Sequence, residues 1–259
     1  MGGASSCANW RRVPNARVTR TTNARLAGFM FLLYIAAGIG SLIFSSRATI
    51  GEGTAAKLAS IAQHASDVRV AALLILFTSF AAVVLGVTLY AITRDEDPDI
   101  AMLALICRVI EGVNNGTGVQ RQLELLWLTT AAGPNAPDTE ARHALGAFLL
   151  SGQGGGSAIF FAVGSTLFSW LMLRGRMIPV ALARLGVLAS LLLVVILPLQ
   201  MAGLLGSTNW FGVVTWLMWL PMLLFEVTLA VWLIVKGVGA PSRHFISSKN
   251  GSSHESRRL

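Results

Sequence analysis

Long blocks of apolar residues, separated by short polar segments, dominate the pattern along this chain. Such blocks are typical of transmembrane helices, because about 20 residues at a rise of about 1.5 Å cross a hydrocarbon core of roughly 30 Å. The pattern predicts an all-α, polytopic transmembrane helix bundle with a short helix in the first loop. Its six spans cover about residues 25–46, 68–93, 100–130, 145–173, 180–205 and 211–235.

The polar segments divide the chain into a membrane domain and two tails. Residues 1–24 are basic and predict a disordered cytoplasmic tail, residues 25–238 form the six-helix domain, and residues 239–259 form a polar cytoplasmic tail. Six spans put both tails on one side, and most Lys and Arg residues then fall on that side. Because positively charged segments stay inside, the pattern predicts an N-in, C-in topology. The first apolar run is too long for the core of a signal peptide, so an uncleaved span is favoured.

Composition supports this class, since 54% of the residues are hydrophobic and only 12% are charged, against about 25% charged in soluble domains. The net charge of +8 comes from basic residues in the tails and one short loop, as membrane topology requires. We therefore expect the lipid bilayer as a partner and no nucleic acid. Cys7 and Cys107 lie in a tail and in a span, so they predict neither a disulfide framework nor a metal site. No cofactor is expected.

The third span is unusually polar, with the sequence ICRVIEGVNNGTGVQRQLELLWL from Ile106 to Leu128. At 100° per residue, Arg108, Glu111 and Asn115 fall on one stripe of the helix. A charge at the bilayer centre costs about 2.5–3.5 kcal/mol on insertion scales, so such residues usually face the bundle interior with a partner. The stripe predicts a polar site inside the bundle.

The sixth span adds an acid to this site. Glu226 lies ten residues before Lys236 and Arg108 nine residues after Asp99, which places them about 15 Å and about 13 Å from the same boundary. Their matching depth predicts that Arg108 and Glu226 meet. With Glu111 the site then holds two acids and one base, which leaves one acid formally unpaired. That acid is expected to be protonated, paired with another group or hydrated.

Two further features bear on helix packing. The fourth span contains SGQGGGSA, in which Gly152 and Gly156 have the spacing of a close helix contact. The sixth span contains Pro221, which removes a backbone hydrogen bond near Glu226 and predicts a kink.

The chain also resembles a known family, the bacterial domain of unknown function 4386. The resemblance spans about residues 25–238 and includes the Arg-x-x-Glu of Arg108 and Glu111; it is carried by the stretches RLAGFMFLLYIAAG, ICRVIEGV, LMLRGRMIPVALARLGVL and LPMLLFEVTLAVWLIVKGV. It implies a multi-pass protein of the bacterial inner membrane and implies no activity.

Three classes of function remain open. The first is a carrier or sensor for a small molecule or ion, in which Glu111 or Glu226 takes up a proton. The second is an interaction or accessory subunit, a homo-oligomer or a partner of another membrane protein, in which the buried ion pair is structural. The third is an intramembrane enzyme, which the sequence does not favour, because it shows no nucleophile arrangement and no set of metal ligands.

Overall fold

The computed structural model describes residues 16–134, 136–151, 156–204 and 210–239, and within these ranges every regular element is a helix. The eight described helices are α1 (Ala16–Ala48), α2 (Gly53–Gln63), α3 (Ala65–Thr93), α4 (Pro98–Thr130), α5 (Thr139–Leu150), α6 (Gly156–Arg174), α7 (Val180–Met201) and α8 (Trp210–Val235). The expected all-α fold is confirmed, and α2 is the short helix expected in the first loop.

Six of these helices are long. Segments of α1, α3, α6, α7 and α8 are long and apolar enough to cross a membrane. The sixth, α4, has 33 residues, and its charged residues set it apart by composition rather than by length. Because α4 packs lengthwise between α3 and α6, the described helices agree with a bundle of about six spans.

Two predicted boundaries differ from the structure. The first helix begins at Ala16, inside the segment predicted as a tail. This early part of the helix packs against the bundle, since Arg20 donates from Nη2 to the Ile92 carbonyl (2.7 Å) and its Nη1 lies 3.8 Å from Asp95. The block predicted as a fourth span from about residue 145 is divided between α5 and α6. Residues 1–15 and 240–259 of the predicted tails lie outside the described residues.

The long helices form a closed ring. Along the ring α1 packs against α3, α3 against α4, α4 against α6, α6 against α7, α7 against α8, and α8 against α1. Buried apolar side chains from these helices, including Phe31, Leu85, Phe168 and Phe225, fill the centre of the ring.

Both ends of the described chain lie on one side of the ring, which we call the terminal side. A β-carbon on Gly237, just after α8, would lie 3.9 Å from Thr21 near the start of α1. On the same side the α3–α4 turn meets the end of α6, where Arg174 contacts Glu96 (3.2 Å) and Asp97 (3.3 Å). Asp97 also caps α4, accepting from the Ile100 N–H (3.2 Å). The acidic turn, unexpected on a side predicted to be basic, thus pairs with arginines of the bundle.

The opposite side of the ring carries a small cap. There α2 and α5 pack against the end of α4, and a second apolar cluster includes Leu58, Ile61, Leu125 and Leu128. Gly146 of α5 fits directly against Leu58, since a β-carbon there would lie 2.6 Å from Leu58 Cδ1. The cap therefore fixes the far end of α4, the helix that carries the polar stripe.

Candidate functional site

An ion pair within α4 lies at the centre of the ring. Nη1 of Arg108 is 2.8 Å from Oε2 of Glu111, and each side chain is 1% exposed. The two groups are close but poorly aligned for a hydrogen bond, and Nε and Nη2 of Arg108 have no hydrogen-bond partner among the described residues. The Arg108 Cζ instead lies 5.5 Å from the Tyr34 ring centre and 5.1 Å from that of Phe161, within the range of a cation–π interaction.

Glu111 has a second partner from another helix. The hydroxyl of Tyr34, on α1, donates to Glu111 Oε1 over 2.7 Å. Both carboxylate oxygens of Glu111 are therefore engaged, one by a cation and one by a hydroxyl. Such charge-assisted contacts offset part of the cost of burying the charge.

Small residues on the neighbouring helices make room for Arg108. A β-carbon on Gly86 of α3 would lie 2.9 Å from Arg108 Cβ, and one on Gly164 of α6 would lie 3.3 Å from Arg108 Cδ. A third close approach is at Gly112, where a β-carbon would lie 2.8 Å from the Ser79 carbonyl oxygen. The tight helix contacts thus surround the ion pair.

The predicted meeting of Arg108 and Glu226 does not take the form of an ion pair. Among the described residues, no nitrogen of Arg108 lies within 4.0 Å of a Glu226 oxygen, because the i,i+3 partner on its own helix takes the guanidinium. The two residues still share a small gap in the core, as their matching depth predicted. Glu226 is 5% exposed, and within the described part of the chain its Oε1 has no hydrogen-bond partner.

A cavity of about 660 Å³ opens beside Glu226, in the half of the ring away from the chain ends. It extends along α1 from Tyr34 to Leu42, a distance of about 12 Å at the helical rise. Helices α1, α3, α4, α6 and α8 all contribute to its wall. The polar side chains of the wall are Tyr34, Ser41, Thr78, Asn114, Asn115, Thr117, Arg121, Ser157 and Glu226.

This cavity divides the polar residues predicted from the sequence. Asn115 and Glu226 line it, whereas Arg108 and Glu111 are not part of its wall. Tyr34 connects the two groups, because it lines the cavity and also donates to Glu111. Along α4, the polar stripe therefore first forms a buried ion pair, at Arg108 and Glu111, and then lines the cavity, at Asn115.

The remaining predicted residues occupy different positions. Gly156 begins α6, and the described atom nearest to a β-carbon there would be Asn114 Nδ2 at 3.9 Å, which is ordinary contact rather than a tight crossing. Gly152 lies outside the described residues. Pro221 lies inside α8, between the cavity-lining residues Leu220 and Met222, and its kink stays a prediction.

Sequence reasoning missed two aromatic residues of the site, Tyr34 and Trp219. Tyr34 lies nine residues after Arg25, so depth counting of the kind applied to Arg108 places it about 13 Å into the span. Trp219 lines the cavity and its ring centre lies 5.9 Å from that of Phe161. A tyrosine at mid-depth, away from the interfacial belt where aromatic residues concentrate, was the available signal.

No metal centre is formed by the described residues, since nowhere among them do three His, Cys, Asp or Glu residues come together. In comparison with known proteins, a family model described as Domain of unknown function (DUF4386) matches residues 26–237. The chain therefore belongs to this family. No curated protein and no solved structure matches it significantly.

Proposed function

Starting from membership of a family whose name assigns no activity, we propose that this multi-pass membrane protein binds a small organic molecule in the cavity beside Glu226, as a carrier or a sensor. The observation that carries the proposal is a cavity of about 660 Å³ whose wall contains the buried carboxyl group of Glu226, which forms no ion pair with any other described residue. Ligand pockets typically measure about 300–1,000 Å³ and combine apolar walls with a few polar groups.

The size of the cavity favours a molecule over a bare metal ion. The described residues offer no cluster of metal ligands, and a single carboxylate is a poor site for a divalent ion, which prefers six or more oxygens. The polar groups are spread over five helices, so a bound molecule contacts most of the ring. Such a ligand can stabilise one arrangement of the helices, which is what a carrier or a sensor requires.

The ion pair of Arg108 and Glu111 has a structural part in this proposal. It is 1% exposed and lies outside the cavity wall, so it holds α4 and, through Tyr34, α1 in position. The alternative of an accessory subunit applies if the cavity has no ligand. We further propose a bacterial inner membrane with the chain ends in the cytoplasm, supported by the excess of Lys and Arg in the sequence segments predicted to lie on that side; the cavity then faces the periplasmic half.

A substitution that fills the cavity tests the proposal. Among the described residues, a β-carbon placed on Gly38, in the cavity wall, or on Gly116, outside it, would meet no atom within 4 Å. Gly38→Leu and Gly116→Leu are therefore a matched pair. A panel of small organic cations, anions and neutral molecules is screened for an increase in the melting temperature of the purified protein. We expect compounds that stabilise the wild type and Gly116→Leu but not Gly38→Leu.

Absence of any compound with this pattern contradicts the proposal. Uptake of a stabilising compound into proteoliposomes then separates the two forms of the function. A carrier moves the compound into the vesicle, whereas a sensor binds it without moving it.

A further inference from the structure

We infer that the cavity is selective for an organic monocation, such as a protonated amine, whose charged end pairs with the carboxylate of Glu226. This inference rests on the proposed function and specifies the chemical class of its ligand.

The charges at the centre of the ring do not balance. Arg108 contributes one positive charge, and Glu111 and Glu226 are two acids. Glu111 holds the guanidinium at 2.8 Å and accepts from Tyr34 at 2.7 Å. Glu226 has no ion pair within the described part of the chain, and a buried carboxylate without a partner is energetically costly. A ligand cation supplies the missing charge.

Glu226 is placed where a ligand can reach it. It borders the gap that contains Arg108 on one side and the large cavity on the other. It is also 95% buried, as only 5% of its surface is exposed, so a cation that pairs with it is shielded from water. Charge-assisted hydrogen bonds are strongest in such an environment.

The rest of the wall favours an organic body with one positive charge. Apolar side chains such as Ile39, Leu42 and Leu223, with the Trp219 ring, surround the polar groups. Arg121, also in the wall, lies 13 residues beyond Arg108 on α4, which is about 19 Å along the helix axis. A second positive charge at that end of the ligand would be repelled, so a dication fits poorly.

The preference of the cavity for a cation can be measured by how well a ligand protects an engineered cysteine in the cavity wall from labelling. Cys7→Ser and Cys107→Ala remove the native thiols, and Ser41→Cys introduces a thiol of similar size into the cavity wall. N-ethylmaleimide should label this cysteine, and Gly38→Leu should slow the labelling. The probes are 2-phenylethylamine, 2-phenylethanol and phenylacetate, which share one body and differ in charge.

We expect the amine to protect at a concentration at least about tenfold lower than the alcohol, as a charge-assisted hydrogen bond predicts, and phenylacetate to protect least. Glu226→Gln should abolish the preference for the amine, while Glu226→Asp, which keeps the charge, should retain it. Glu124→Gln is the matched control, because Glu124 lies outside the cavity wall and accepts from Gln120 over 2.7 Å.

The outcomes separate the two proposals. A Ser41→Cys protein that is not labelled, or that is labelled equally with Gly38→Leu, contradicts an accessible cavity and with it the proposed function. Labelling without protection by the amine, equal protection by amine and alcohol, or a preference that survives Glu226→Gln overturns the charge selectivity alone.

Discussion

The two halves of the helix ring differ in how they are closed. On the terminal side, buried side chains such as Ile92, Met172 and Leu233 fill the interior. Arg20 and Arg174 form ion pairs that link α1 and α6 to the α3–α4 turn. In the opposite half the same helices enclose a cavity of about 660 Å³. The interior of the bundle is thus filled with side chains towards the chain ends and hollow away from them.

The two buried acids, Glu111 and Glu226, differ in a similar way: one is surrounded by partners and the other borders the cavity. One oxygen of Glu111 forms an ion pair with Arg108 and the other accepts from Tyr34. Glu226 borders the cavity, forms no ion pair among the described residues, and has no hydrogen-bond partner there for its Oε1. The two acids are similarly buried and differ in their contacts. Substitutions that change those contacts, or the packing in one half of the ring, therefore probe the difference between them.

Removal of the central cation should have the largest effect. Arg108→Leu leaves Glu111 and Glu226 buried without a positive charge, and breaking a buried pair in this way typically costs about 3–5 kcal/mol. The double variant Arg108→Leu with Glu111→Leu removes both charges of the pair and should melt at a higher temperature than the single variant. Thermal unfolding of the purified protein in detergent measures both.

Arg69→Leu is the control for this comparison, since Arg69 is exposed. A double variant no more stable than Arg108→Leu would mean that the two charges are not coupled in the folded protein.

Removal of the Tyr34 hydroxyl should have the second-largest effect on stability, and this effect should depend on Glu111. Tyr34→Phe removes the donor 2.7 Å from Glu111 Oε1, and a hydrogen bond to a charged group contributes about 1.5–3 kcal/mol. The loss in stability should disappear in a Glu111→Leu background and persist in a Glu226→Gln background. Tyr90→Phe, the same change at the only other tyrosine, should alter the melting temperature little. A loss that persists without Glu111 would contradict the assignment of this partner.

The fold and part of this site follow from the sequence for identifiable reasons. The polar stripe with Arg108 and Glu111 is visible because charges are rare in apolar blocks and a helix brings residues three apart onto one face. Depth counting also placed Glu226 near Arg108, and both border the same gap. The spans are visible because length and hydrophobicity determine them almost directly.

The close glycine contacts and the cavity could not be predicted, because they depend on how the helices pack and not on the sequence of any single span. The GxxxG spacing pointed to Gly156, but the close contacts of the ion-pair region are at Gly86, Gly112 and Gly164, because helix rotation decides which small residue meets a neighbour. The cavity is also a property of five helices together. The periodicity of the polar residues on α4 does not show that some of them form an ion pair while others line a cavity.

Substitution of two glycines of α1, one at a close helix contact and one at the cavity, should have opposite effects on stability. A β-carbon on Gly28 would lie 2.6 Å from the Ala230 carbonyl oxygen, a backbone atom, whereas one on Gly38 meets no atom of the described part of the chain within 4 Å. Gly28→Ala should therefore lower the stability by about 1–3 kcal/mol through overpacking. Gly38→Ala should raise it by up to about 1 kcal/mol, because alanine favours the helix. Equal melting temperatures for the two variants would contradict the close contact between α1 and α8.

The smallest loss of stability is expected when an ion pair of the terminal side is removed. The salt dependence of this loss should show whether it is electrostatic. Arg174 contacts Glu96 at 3.2 Å and Asp97 at 3.3 Å, but its side chain is 50% exposed, so Arg174→Ala should cost only about 0.2–1 kcal/mol. At an ionic strength of about 1 M the screening length is about 3 Å, and the difference from the wild type should largely vanish. The loss caused by Arg108→Leu should persist under the same conditions, because Arg108 is buried away from the salt solution. A loss at Arg174 that salt leaves unchanged would mean that the stem of this side chain, rather than its charge, closes the terminal side.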